Sequence, residues 1–165
     1  MTAPKLDIIG RNTAVKIAGI SGVPAKIDTG ADSSSVWASS IKMSENGTLE
    51  FALFGEKSPY YTGETIKTKD YLVSVVRSSN GAEQVRYKVK LPLKIKNHLI
   101  KATFTLSERG RNNFPILIGC TALRGKFLVD PAIVELDHHK NPKAKKLNRE
   151  LSNNPYLFHQ KYVKK

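Results

Sequence analysis

Hydrophobic positions in this chain come in short runs, and in most of them apolar and polar residues alternate. LDIIG (6–10), AVKIAGI (14–20), VPAKID (23–28), LEFALF (49–54) and YLVSVV (71–76) belong to this pattern. So do QVRYKVKLPLKI (84–95), LIKATFTL (99–106), PILIG (115–119), KFLVD (126–130) and AIVEL (132–136). Alternation with a period of two, rich in β-branched and aromatic residues, predicts strands. Turn-forming residues separate the runs at Gly10–Asn12, Ser21-Gly22, Ser79–Gly81 and Arg109-Gly110. Many short strands at such spacing predict an all-β fold, a small barrel or sandwich.

Three stretches break the pattern. GEKSPYYTGETIKTKD (55–70) is polar and reads as a loop. Cys120 to about Gly125 reads as one short helix, with the glycine as its stop. Beyond Asp137 the texture turns basic: NPKAKKLNREL (141–151) suits a short helix opened by Asn141-Pro142, and SNNPYLFHQKYVKK (152–165) reads as an extended or frayed end. The chain therefore divides into a folded unit, 1–136, and a basic C-terminal extension, 137–165. Between YLVSVV and QVRYKV, Asn80-Gly81 is a strong hairpin signal, because Asn-Gly favours the positive φ angles of a two-residue type I′ turn. Such a hairpin can act as a flap over a bound chain.

Composition narrows the classes. With 165 residues and 40% hydrophobic content, the chain suits one domain. No apolar stretch reaches the roughly 18 residues of a membrane span, and the first residues lack a basic start followed by a long apolar block. A single cysteine, Cys120, rules out an internal disulfide framework. The expectation is a cytoplasmic protein with no membrane partner. Twenty-seven Lys/Arg against 14 Asp/Glu give a net charge of +13, and residues 137–165 hold eight of those cations against two acids. So positive a field attracts anionic partners, and the tail alone suits nucleic acid or a ribosomal surface.

Candidate chemistry centres on AKIDTGADSSS (25–35). Asp28 ends an apolar run; Gly30 lets the backbone turn and leaves its N–H free to donate to the carboxylate. Taken alone, Asp-Thr-Gly is a three-letter match that an ordinary Asx turn also explains. About ninety residues on stands FPILIGCTALRGKFLVDP (114–131), in which a strand, a close-packing Gly119 and a helix follow one another.

In that order, with a hairpin between, the chain resembles retropepsin-like aspartic proteases from about Ile8 to Pro131. DTGAD (28–32) is similar to the retroviral protease active-site loop, and ILIG (116–119) to the segment packed behind it. It more closely resembles a bacterial branch often labelled ATP-dependent zinc proteases, some of which sit beside the ligase that adds glutamates to a ribosomal protein. IGRNTAVKI, AKIDTGADSSSVWA, SSNGAEQVRYKVKLPLKI and TFTLSERGRNNFPILIGCTALRGKFLVDP carry that match. Two positions depart: Asp32 stands where the branch usually has a basic residue, and Cys120 where both groups usually have Arg. Asp32 then needs another cation, Arg11 or Arg124.

The resemblance implies a small closed barrel with a flap hairpin and a homodimer in which each chain gives one aspartate. Two carboxylates that close share a proton, titrate as a pair and activate water against a peptide carbonyl. It assigns Asp28 to catalysis, with Thr29 fixing the dyad across the interface and Gly30 orienting the carboxylate. Ala31, Asp32, Asn80 and Gly81 would hold substrate. Arg77, Arg86 and Arg109 suit carboxylates and point to acidic, poly-glutamate-like peptides. No cofactor is expected. The histidines, His98, His138, His139 and His159, form no His-Glu-x-x-His, and no phosphate-binding Gly-Lys-Ser/Thr occurs. The alternatives are an inactive binding module on the same fold and a basic protein associated with nucleic acid or ribosome.

Overall fold

A computed structural model describes residues 5–77, 81–137 and 142–163. Its centre is a ring of six strands: β2 (Asn12–Ile17), β3 (Ile20–Ile27), β4 (Ser34–Met43), β8 (Glu83–Ile95), β9 (His98–Ser107) and β10 (Ile116–Ile118). They pair in the order β10-β3-β2-β8-β9-β4, and β10 pairs again with β4, which closes the barrel. β5 (Leu49–Leu53) and β6 (Thr65–Thr68) extend the sheet beyond β4, while β7 (Tyr71–Arg77) pairs with the outer half of β8. The first and last strands meet where β1 (Asp7–Ile9) lies parallel to β11 (Phe127–Val129).

The alternation read from sequence is the alternation of the barrel wall. Along β8, Val89, Leu91, Leu93 and Ile95 point inward, while Lys90, Pro92 and Lys94 face solvent. Phe51, Phe54, Phe104, Ile17, Leu49 and Ile116 are fully buried among the inward residues. Burial of each such side chain contributes about 1.5–3 kcal/mol. Among the described residues no helix is long and apolar enough to cross a membrane, a statement that leaves β-barrel insertion aside.

Several local expectations change. The turn joining β2 to β3 lies at Ala18-Gly19, not Ser21-Gly22: Ile17 pairs with Ile20, and both turn residues have positive φ, 45° and 87°. The polar stretch 55–70 contains β6. Ser34–Met43, outside the runs read as strands, is the long strand β4, whose Ser34 and Ser35 are buried. Residues 132–136 form no strand. They are strapped to the barrel instead: buried Asn12 donates through Nδ2 to the Leu136 carbonyl at 2.9 Å and accepts from its N–H at 2.8 Å. Arg11 N–H donates to the Ile133 carbonyl at 2.9 Å.

The β7–β8 hairpin exists, and the expected Asn80-Gly81 turn falls partly outside the described residues. The last described pair is Arg77 opposite Glu83, which leaves an odd number of residues between them. Gly81 has φ +81°, and Asn80 lies outside the described residues. One face of the hairpin carries Tyr71, Val73, Val75, Val85 and Tyr87, of which Val73, Val75 and Val85 are exposed.

The short helix α1 (Cys120–Leu123) follows β10 as expected, with Gly125 at φ +71° after it. In the extension, α2 (Pro142–Asn153) is the basic helix. The last segment, expected to be extended, forms α3 (Pro155–Tyr162). Asn154 caps α3 by accepting from Leu157 N–H at 3.0 Å, and Pro155 opens it. Tyr162 then donates to Glu150 Oε2 of α2 at 2.8 Å, which pairs the two helices.

Candidate active site

The Asp-Thr-Gly loop leaves β3 and is held from behind by β10 and α1. Asp28 N–H donates to the Ile118 carbonyl at 2.9 Å. The loop's own carbonyls are then taken one by one. Cys120 N–H donates to Ala31 O at 2.8 Å, and Thr121 N–H to Asp32 O at 3.1 Å, where Thr121 Oγ1 donates as well at 2.8 Å. Cys120 Sγ donates to Thr29 O at 3.0 Å. Gly119 N–H donates to Ser34 Oγ at 3.1 Å. A Cβ on Gly119 would lie 2.6 Å from the Ser33 carbonyl oxygen and 2.8 Å from that of Ala31. Only glycine lets β10 come this close behind the loop.

So held, the loop presents Asp28 half-buried and Thr29 exposed. Gly30 N–H donates to Asp28 Oδ1 at 3.1 Å, the orienting bond expected of it. Asp28 opens into a cavity of about 550 Å³ whose charged lining is otherwise cationic: Arg11, Lys26, Arg109 and Arg111. Asn112, Asn113, Phe114 and Leu117 complete it. Arg109 reaches the site from the segment before β10 and donates from Nε to the Phe114 carbonyl at 3.3 Å. Burial lowers the pKa of Arg109, neighbouring Arg86 lowers it further, and Asp28 opposes both. Arg109 thus lies within electrostatic reach of both Arg86 and Asp28.

The structure treats the other expected residues differently. Arg77 stands at the far end of the hairpin, exposed, with its Nε 2.7 Å from Glu83 Oε1. Asp32 is exposed, and among the described residues no ion pair joins it to Arg11 or Arg124; its fixed group is its backbone carbonyl. Trp37 packs on the core and is covered by Gly55 and Gly110, where a Cβ would come 2.5 Å and 2.8 Å from the indole. Its Nε1 is buried with no hydrogen-bond partner among the described residues. Lys26 and Arg111 went unseen in the sequence, and Arg11 was expected only as a cation for Asp32, because the three come from separate segments, joined only when β3 pairs with β2 and β10.

Among the described residues no three His, Cys, Asp or Glu side chains gather as metal ligands. His98 bonds Asp7 at 2.9 Å and packs on Phe127, and His159 sits exposed on α3. His138 and His139 lie outside the described residues.

A closed six-stranded barrel with a side hairpin and one Asp-Thr-Gly loop backed by Ile-Leu-Ile-Gly defines the retropepsin-like class. Within it, residues 8–140 match the RimB-like family, described as retropepsin-like aspartic endopeptidase RimB, and the chain belongs to that family. It is also 26% identical over 118 residues to a "Probable alpha-L-glutamate ligase" of Desulfotalea psychrophila, and 27% identical to one of Shewanella halifaxensis. Those alignments cover 70% and 69% of this chain but 25% and 26% of the ligases, so it spans about a quarter of their length. Among solved structures, a Legionella pneumophila protein of unknown function shares the fold, with a TM-score of 0.61 at 24% identity, covering 79% of this chain and 97% of that one.

Proposed function

We propose that the chain is an aspartic endopeptidase that works as a homodimer on acidic peptides. The observation that carries this reading is that, among the described residues, Asp28, oriented by the Gly30 amide, is the one carboxylate lining a cavity whose other charged residues are all cations. A single carboxylate is half of a water-activating pair, and a two-fold axis beside Asp28 supplies the other half from an identical chain. The two carboxylates share one proton. The ionised one takes a proton from water, the neutral one donates to the scissile carbonyl, and the proton returns to the leaving nitrogen. The exposed Thr29 hydroxyl reaches across the axis to steady the mate's loop. The hairpin's Val73, Val75 and Val85 give a closing flap apolar surface to lay on substrate. Arg109, Arg11 and Arg111 pair with substrate carboxylates.

Peptide cleavage from pH 4 to 8, with glutamate-rich and mixed peptides, tests this together with sedimentation. The expected result is a dimer whose cleavage survives EDTA and vanishes in Asp28→Asn. Activity lost to EDTA but kept in Asp28→Asn overturns it. A second reading, an acidic-peptide binding module without turnover, is favoured by Cys120, which stands where the resemblance implies arginine, and by Asp32, which has no ion pair among the described residues. Tight binding with no cleavage at any pH selects it.

A further inference from the structure

We infer that the outer face of β8 and its neighbours is a second binding surface, which holds the run of a long acidic peptide beyond the cleft. It rests on the acidic-peptide reading for its occupant and on separate residues for its existence. Alternation puts Arg86, Lys88, Lys90 and Lys94 on the same side of β8, opposite its core-facing residues. Pro92 interrupts the row, and directly across from it on β9 stands Lys101. Directly across from Lys94 on β2 stands Lys16.

Six cations therefore lie on one sheet surface, and among the described residues none of them is in an ion pair. Like charges placed directly opposite destabilise a sheet, so the Lys16–Lys94 pairing is a local cost with no structural return. An anion laid across both removes it.

The geometry suits an extended acidic chain. Same-side residues of a strand repeat about every 6.6–6.8 Å, and so do the same-side carboxylates of an extended peptide. The Arg86 end of the row is the one nearest the cleft, since Arg86 acts electrostatically on Arg109, which lines it. From Arg86 to Lys94 it runs about 27 Å along β8. Its far end is a shallow depression of about 480 Å³ formed by Pro92, Leu99, Ile100 and Lys101. A tail too long for the cleft is thus held by its length, and a short one is not.

The test uses Asp28→Asn full-length protein, so that binding is read without cleavage. Lys16→Gln, Lys90→Gln, Lys94→Gln and Lys101→Gln are combined, all on exposed positions away from the cleft. Anisotropy of a long labelled glutamate peptide, and of a short one that fills only the cleft, is followed against salt. The expected result is roughly tenfold weaker binding of the long peptide, with a shallower salt dependence and unchanged binding of the short one. In the enzyme with Asp28 intact, KM for the long peptide rises while kcat holds. Equal binding of the long peptide by parent and variant overturns the inference. So does a result in which the substitutions weaken only single-stranded RNA, which marks a polynucleotide surface. Because binding is read without turnover, failure of the protease reading is a separate result.

Discussion

Gly119→Ala tests how the active-site loop is held. The added Cβ would lie 2.6 Å from Ser33 O, 2.7 Å from Ser33 C and 2.8 Å from Ala31 O, all backbone atoms of the loop that follows Asp28. Ordinary contact requires about 3.4 Å or more, so the loop must retreat by roughly half an ångström or more, and misplacement by about 1 Å can cost a hundredfold in rate. Overpacking of this kind costs about 1–3 kcal/mol of stability. The expected outcome is a folded variant with that stability loss in urea and a tenfold to hundredfold lower kcat/KM on acidic peptide, within the range that displacement implies. Phe51→Leu, in the core, serves as a control: it should lose comparable stability and keep its turnover. A Gly119→Ala variant with unchanged stability and full activity refutes the argument that β10 sets the loop's position.

Two further outcomes follow from the same structure. Arg109→Gln should lower kcat/KM on acidic peptide by roughly tenfold to a hundredfold, from the loss of a charged hydrogen bond of about 1.5–3 kcal/mol, and leave a neutral peptide little changed; equal losses on both peptides would contradict a role in substrate charge recognition. Glu135 accepts from Thr13 Oγ1 and pairs with Lys96 at 3.1 Å. Burial works to raise its pKa, but these partners outweigh burial and hold it below the usual 4.5. A depressed carboxylate stabilises fully above the unfolded value and loses that contribution as pH falls through the folded one. Urea midpoints between about pH 5 and about pH 3 should therefore fall less steeply in Glu135→Gln than in the parent.

The sequence was most legible where one face of a strand is greasy and the other wet. The inner half of β8 read directly, because its inward Val89, Leu91, Leu93 and Ile95 alternate with exposed Lys90, Pro92 and Lys94. β4 was hidden by its serines: Ser34, Ser35 and their neighbour Ser107 are buried polar residues, with Ser35 Oγ and Ser107 Oγ 2.8 Å apart, so hydroxyl pairing does there what apolar contact does elsewhere. The helix α3 was hidden for a different reason. Its apolar residues Tyr156 and Leu157 stay exposed, and what defines it is the Asn154 cap and the Tyr162–Glu150 bond, neither of which has a hydrophobic period. The aspartate of the site was visible as a motif. Of its cationic surroundings Arg109 was named from the sequence, but Lys26 and Arg111 were not, since charge patterning along a chain says little about which segments a barrel brings together.

The pairing of β1 with β11 also governs how the molecule forms. Asp7 and Phe127 are roughly 120 residues apart, and closing such a span precedes any reward from the contacts it allows, which slows folding relative to local hairpins. During synthesis, β2, β3 and the β8–β9 hairpin can form early, but the first strand has no mate until residue 129 exists. The barrel itself closes only when β10 pairs with β3 and β4, and the active-site loop, whose backing strand is β10, stays unsupported until then. A chain in this state has no assembled site, so the proposed cleavage activity is absent until the fold is complete.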